Sequence, residues 1–86
     1  MDCYVYILQS ASSGRLYIGH TQDLSRRLAE HKAGRSAATK GRGPWDLLGA
    51  IRCASRAEAQ QLEYRLKRWK NPDRVRAFLQ RRSGTP

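Results

Sequence analysis

Arg27 and His31 stand four residues apart in a segment whose leucines, Leu24 and Leu28, repeat at helical spacing. Plotted at about 100° per residue, the leucines define an apolar stripe, Arg27 and His31 lie on its flank, and Arg26 and Glu30 point to solvent. Two polar groups with hydrogen-bonding reach therefore border the core, where a cleft would find them. The plainer alternative is an arginine that snorkels and a histidine satisfied at the boundary. Glu63 repeats the arrangement beside an apolar face of Leu62, Leu66 and Trp69. A carboxylate at that border is a candidate Mg²⁺ ligand, because Mg²⁺ takes one or two carboxylates and otherwise keeps waters or phosphate oxygens. Taken alone, Glu63 reads as a surface pair with Lys67, stabilising by roughly 0.2–0.5 kcal/mol. Tyr6 and Tyr17 fall at the centres of two strand-like runs. Tyrosines facing each other across a hairpin usually belong to the core, where their hydroxyls need partners.

Local patterns predict the elements that must position these groups. Residues 3–9 (CYVYILQ) form a β-branched and aromatic run, a Ser-Ala-Ser-Ser-Gly cluster follows, and residues 15–19 (RLYIG) complete a hairpin. Alternation places Tyr4, Tyr6 and Leu8 on one face, and Tyr17 and Gly19 on one face of the next strand. Gly19 reads as the end of that strand, where a turn or close backbone approach needs glycine. The near-continuous apolarity of this ribbon suggests cover on both faces. Thr21 or Asp23 caps a helix running to about Ala33, before Gly34. Residues 34–45 read as a basic, glycine-rich loop and residues 46–53 as a third strand. Ser55-Arg56-Ala57-Glu58 opens a helix to about Lys70 as a capping box. Asn71-Pro72 starts a third helix, with Asn as N-cap and Pro at its first position. The order ββαβαα predicts an α/β (α+β) sandwich on a small three-stranded, mainly antiparallel sheet. We expect one domain over residues 1–82 and a frayed tail at 83–86.

Charge narrows the partner. Seventeen basic residues face seven acidic ones, and thirteen of the seventeen are arginine, whose planar fork of donors suits phosphate. Residues 1–22 carry one base and one acid, while residues 23–86 carry sixteen and six. Such a single-sign excess favours a polyanion, most simply nucleic acid. Leu, Ile, Val and Phe number only fifteen of 86, so the core is thin, and only the aromatics and periodicities argue that the chain folds. No apolar run approaches the length of a membrane span, and Met1-Asp2-Cys3-Tyr4 begins on a strand pattern without a signal-peptide profile. Cys3 and Cys53 lack metal or redox spacing and read as reduced thiols of a cytoplasmic protein.

The residues also form an ordered set. Tyr4-Val5-Tyr6, ten residues, Tyr17-Ile18-Gly19, then Asp23-Leu24-Ser25-Arg26-Arg27-Leu28-Ala29-Glu30-His31, then Glu63 in a helix, resembles the GIY-YIG nuclease family and within it the small stand-alone bacterial domains. The resemblance covers residues 3–80. It implies that Tyr6 and Tyr17 are the tyrosines of the two motifs, and that Arg27 neutralises charge on the scissile phosphate. It further implies that His31 fills the position one turn on, and that Glu63 holds a single divalent ion, Mg²⁺ or Mn²⁺. The sequence departs from the family pattern in carrying Tyr4-Val5 for Gly-Ile. The Asn that follows the metal-binding helix in many members is matched only by Asn71, which reads as a helix cap.

The chemistry of those residues fits that implication. Phosphodiester hydrolysis needs a water nucleophile, charge neutralisation and help for the leaving oxygen. A phenol with an ordinary pKa near ~10 is a poor base, so Tyr6, Tyr17 and His31 all stay open for that role. His20 is expected in an exposed loop, touching phosphate together with Lys32, Arg35, Lys40, Arg42 and Lys67. The leading expectation is a metal-dependent nuclease nicking DNA with low sequence specificity, bound to no membrane and monomeric or weakly dimeric. The alternative is a DNA- or RNA-binding module that keeps the fold without turnover. A third class, a basic protein docking on an acidic partner, explains the charge and leaves the motif set a coincidence.

Overall fold

A computed structural model describes residues 2–34, 41, 43–69 and 71–82. Its elements run β1 (Cys3–Ser10), β2 (Leu16–Thr21), α1 (Leu24–Lys32), β3 (Trp45–Cys53), α2 (Arg56–Trp69) and α3 (Pro72–Arg82). The strands form one sheet in the order β2-β1-β3, antiparallel throughout. The most apolar strand, β1, therefore takes the centre and is covered on both faces, while β2 keeps a free edge. The expected α+β order holds, and the Cα radius of gyration is 12.5 Å.

Strand register decides which residues share a face. Opposite Tyr6 stand Gly19 and Ala50, and opposite Leu8 stand Tyr17 and Leu47. These point to the α1 side, because directly opposed residues share a face. Val5 opposes His20 and Ile51, and Ile7 opposes Ile18 and Gly49, pointing the other way. A register shift between Ile7 and Leu8 leaves Leu48 as the extra residue of β3, and it packs against the core. That core lies on the second face, where Cys3, Val5, Ile7, Ile18, Ile51 and Cys53 meet Ala59 and Leu66 of α2 and Val75 of α3. Cys3 and Cys53, fifty residues apart in sequence, are directly opposed across the sheet as buried free thiols.

Side-chain caps fix the helix starts. Asp23 rather than Thr21 is the N-cap of α1, its carboxylate accepting from the Arg26 N–H at 3.1 Å. Ser55 Oγ accepts from the Glu58 N–H at 3.1 Å, and Asn71 Oδ1 accepts from the N–H groups of Asp73 and Arg74. Each satisfies donors that a helix start leaves without an internal partner. Among the described residues, no helix is long and apolar enough to cross a membrane.

Two expectations need correction. The second strand does not stop at Gly19 but runs on to Thr21, so His20 is a strand residue rather than a loop one. In α1 the leucines are not the buried stripe: Leu24 and Leu28 are half-buried, and His31 is the buried residue. The helix is short and leans on the sheet through its last turn, which carries the histidine inward. Arg35, Lys40 and Arg42 lie outside the described residues.

Candidate active site

Tyr6 and His31 form the buried heart of the site, 2% and 5% exposed. Tyr6 Oη and His31 Nε2 are 2.9 Å apart. Tyr17 packs against both with its ring tilted, its centroid 5.1 Å from that of His31 and 6.2 Å from that of Tyr6. Trp45 of β3 meets Tyr17 edge-on at 6.4 Å. Gly19 makes this arrangement possible. A Cβ at that position would stand 2.7 Å from Tyr6 Oη and 2.9 Å from its Cζ, so the tyrosine ring lies directly against the glycine backbone. The glycine serves a ring contact in mid-strand, not a turn.

Burial pushes the Tyr6 phenol above its ordinary range, and Tyr17 and Glu63 add to this against the pull of Arg27. Burial and the Arg27 charge together lower His31 below an ordinary imidazole. Both groups are thereby held neutral. A neutral phenol and a neutral imidazole share one proton in this bond, the imidazole tautomer setting which of Oη and Nε2 donates. Arg27, whose side chain is 45% exposed, leans toward Glu30 with Nη1 3.6 Å from Oε1. Its charge reaches both members of the buried pair.

Glu63 sits on the other face of the sheet. Its Oε1 accepts from His20 Nδ1 at 2.6 Å, and its Oε2 accepts from Lys67 Nζ at 2.7 Å. Burial alone would raise this carboxyl, but the hydrogen bonds from Lys67 and His20 outweigh it and hold it below the usual carboxylate range. The predicted Glu63–Lys67 pair exists, and His20 joins it from a strand rather than from a loop. Period-two alternation continued one step past Ile18 and Gly19 was the signal that could have placed His20 there. Glu30 as partner of Arg27 and Trp45 as the wall behind Tyr17 also escaped the sequence reading.

The expected residues thus gather as two groups on opposite faces at the free edge of β2. Tyr6, Tyr17, His31 and Arg27 lie on one side, and Glu63, His20 and Lys67 on the other. Two clefts join them. One, of about 540 Å³, is lined by Arg27 and His20 together with Arg26, Glu30 and Arg56. The other, of about 430 Å³, is lined by Tyr17 and Lys67 together with Asn71. Asn71 therefore caps α3 and also borders the site. Lys32, at the end of α1, is exposed.

A family model described as the GIY-YIG catalytic domain matches residues 2–76. The chain belongs to the GIY-YIG family. A UPF0213 protein of Nitratidesulfovibrio vulgaris is 48% identical over 66 residues, covering 76% of this chain and 59% of that protein. A UPF0213 protein of Oceanobacillus iheyensis is 43% identical over 65 residues, covering 74% of each. The solution NMR structure of a UPF0213 protein from Bacillus halodurans has a TM-score of 0.50 and 39% identity, covering 79% of this chain and 72% of that one. The three-stranded antiparallel sheet with three helices is thus the fold of a GIY-YIG domain, which is a nuclease-family domain.

A divalent ion can be tested against the residues present. Among the described residues no three His, Cys, Asp or Glu side chains cluster as a metal cage. Glu63 is nonetheless an ionised carboxylate with 18% of its side chain exposed, and its partner Lys67 is 53% exposed and free to swing aside. One part-exposed carboxylate, each oxygen keeping a lone pair beyond its bond to His20 or Lys67, suits an ion that otherwise keeps water and phosphate oxygens, Mg²⁺ or Mn²⁺, rather than a closed nitrogen or sulfur site. The GIY-YIG residues fit such an ion.

Proposed function

We propose that this chain is a divalent-metal-dependent nuclease that nicks DNA with low sequence specificity. The observation that carries the proposal is the pair of clefts at the edge of β2, which bring Arg27 and Tyr17 of one face together with His20 and Lys67, the two partners of the ionised Glu63 carboxylate. The scissile phosphate would lie across that edge, with Arg27 donating to its oxygens. Glu63 would hold a single Mg²⁺ or Mn²⁺, which when bound supplies positive charge to the phosphate and to the leaving oxygen. His20 fixes the Glu63 carboxylate, and Lys67, exposed beside it, would be placed to pair with phosphate. Tyr6 is not an independent base, because burial keeps its proton on. It passes a proton to His31 Nε2 while accepting one from the attacking water, so the histidine takes the net proton. Tyr17 orders the water side of this pair. Lys32, Arg35, Lys40 and Arg42 add phosphate contacts by charge, so affinity falls with salt. On this reading the protein works as a monomer or weak dimer in the cytoplasm, where Cys3 and Cys53 stay reduced.

The test is nicking of supercoiled plasmid in Mg²⁺ or Mn²⁺ against excess EDTA, with Glu63→Gln beside wild type. The expected result is metal-dependent nicking lost in Glu63→Gln, with DNA binding retained or tighter. Wild-type nicking in EDTA would overturn the metal assignment. One observation favours a second reading, a DNA- or RNA-binding module without turnover: both Glu63 oxygens are already taken by His20 and Lys67. Such a module would bind the plasmid and never nick it in either metal.

A further inference from the structure

We infer that the outward face of α2, centred on Tyr64 and Arg68, is a stacking platform for an unpaired base, so that the chain prefers single-stranded nucleic acid leaving the Glu63 site. The inference rests on the nucleic-acid reading above and names its substrate class.

Tyr64 is 65% exposed and one of two large hydrophobics exposed among the described residues. Packing does not explain it, since the apolar side of α2 faces the sheet with Ala59 and Leu66. The Arg68 guanidinium lies over one face of its ring, 5.6 Å from the centroid. Gln61, Arg65 and Trp69 complete a shallow depression around the two. An arginine over one face leaves the other to receive a base, as a sandwich of guanidinium, phenol and nucleobase.

The position of Tyr64 ties this platform to the site. Lys67, three residues on and so a neighbour on the helix surface, holds Glu63 Oε2 and lines the cleft beside Tyr17. A strand that passes from that cleft over Lys67 reaches Tyr64 next. The charges on the track are Lys67, Arg68 and Arg65, while Glu63 turns inward to His20. Phosphates are attracted along the whole path, and the exposed face of Tyr64 waits where the base beside them would lie. A duplex keeps its base faces stacked inside and offers only phosphates to this surface. Tyr64 therefore discriminates between the two forms, whereas the arginines do not.

The experiment measures binding by fluorescence anisotropy in EDTA, so that turnover plays no part. Probes are a short oligothymidylate, a short oligouridylate and a duplex of equal length. Proteins are wild type, Tyr64→Ala and Tyr64→Phe. Tyr64→Ala should weaken single-strand binding about tenfold, on the deoxy probe, the ribo probe or both, and leave duplex binding unchanged, while Tyr64→Phe binds as wild type. Because neither substitution alters charge, electrostatics cannot produce that pattern. Equal losses on single strand and duplex, or no loss on either, would overturn the platform and leave the nicking assay untouched. Failure of wild type to bind any probe would overturn the nucleic-acid reading itself, and the platform with it.

Discussion

Adding a single methyl group at Gly19 should both destabilise the fold and disable the site. The backbone there is ordinary extended strand, so alanine brings no dihedral strain, and replacing glycine gains about 0.4–1 kcal/mol by restricting the unfolded chain. Against this gain stands a steric conflict with three atoms. The new Cβ would lie 2.7 Å from Tyr6 Oη, 2.9 Å from Tyr6 Cζ and 3.2 Å from Tyr17 Cε1. The Tyr6 ring is buried and tied to His31 at 2.9 Å, so it has no free direction of escape. Overpacking of this kind costs roughly 1–3 kcal/mol, and loss of the Tyr6–His31 bond adds about 1 kcal/mol if the ring slides. The net is a destabilisation of about 1–3.5 kcal/mol, read as a fall in Tm of roughly 4–8 °C for each kcal/mol in a domain this size. Urea unfolding of Gly19→Ala, Tyr6→Phe and the double variant separates the terms. Removing the hydroxyl deletes the shortest contact, so Gly19→Ala should cost less in the Tyr6→Phe background. A Gly19→Ala protein as stable as wild type, or more so, would refute the close-contact argument.

Arg27→Ala should reduce nicking about 10²–10³-fold, the scale of losing one charge-stabilising donor. Its urea stability should change by under about 1 kcal/mol, because the side chain is half exposed. Arg27→Lys should restore only part of the activity, since an ammonium lacks the two-pronged geometry. His31 carries a pH signature. Its folded pKa is lowered by burial and by Arg27, so the unfolded chain takes up the proton first as pH falls. The stability this histidine contributes is complete above its ordinary value near ~6.5 and drains away as pH drops through it toward the folded value. Urea midpoints measured from neutral to mildly acidic pH should fall for wild type and stay flatter for His31→Phe. An equal slope in both would remove the buried, neutral assignment of His31.

The elements themselves were legible in the sequence because they are written in local code. Alternation in residues 3–9, the Asp23, Ser55 and Asn71 caps, and Pro72 at a helix start each depend on neighbours a few positions away, and each appears in the fold. The motif residues were legible too, because a nuclease-family site needs particular side chains at particular spacings along a strand or helix. What the sequence could not express was which surfaces meet. The depth of His31 was hidden because the Tyr6 and Tyr17 rings of the sheet, not the period of the helix's leucines, enclose it. The partner of His20 was hidden because Glu63 arrives from forty-three residues away, on a helix that packs against the strand's other face. Cys3 and Cys53 became neighbours only through the pairing of β1 with β3. Gly19 was marked by its identity, yet its reason is a tyrosine ring from another strand. Local periodicity specified the parts and their faces. Long-range register and helix packing, driven by burial of a thin apolar core, decided that those faces would meet across the edge of β2.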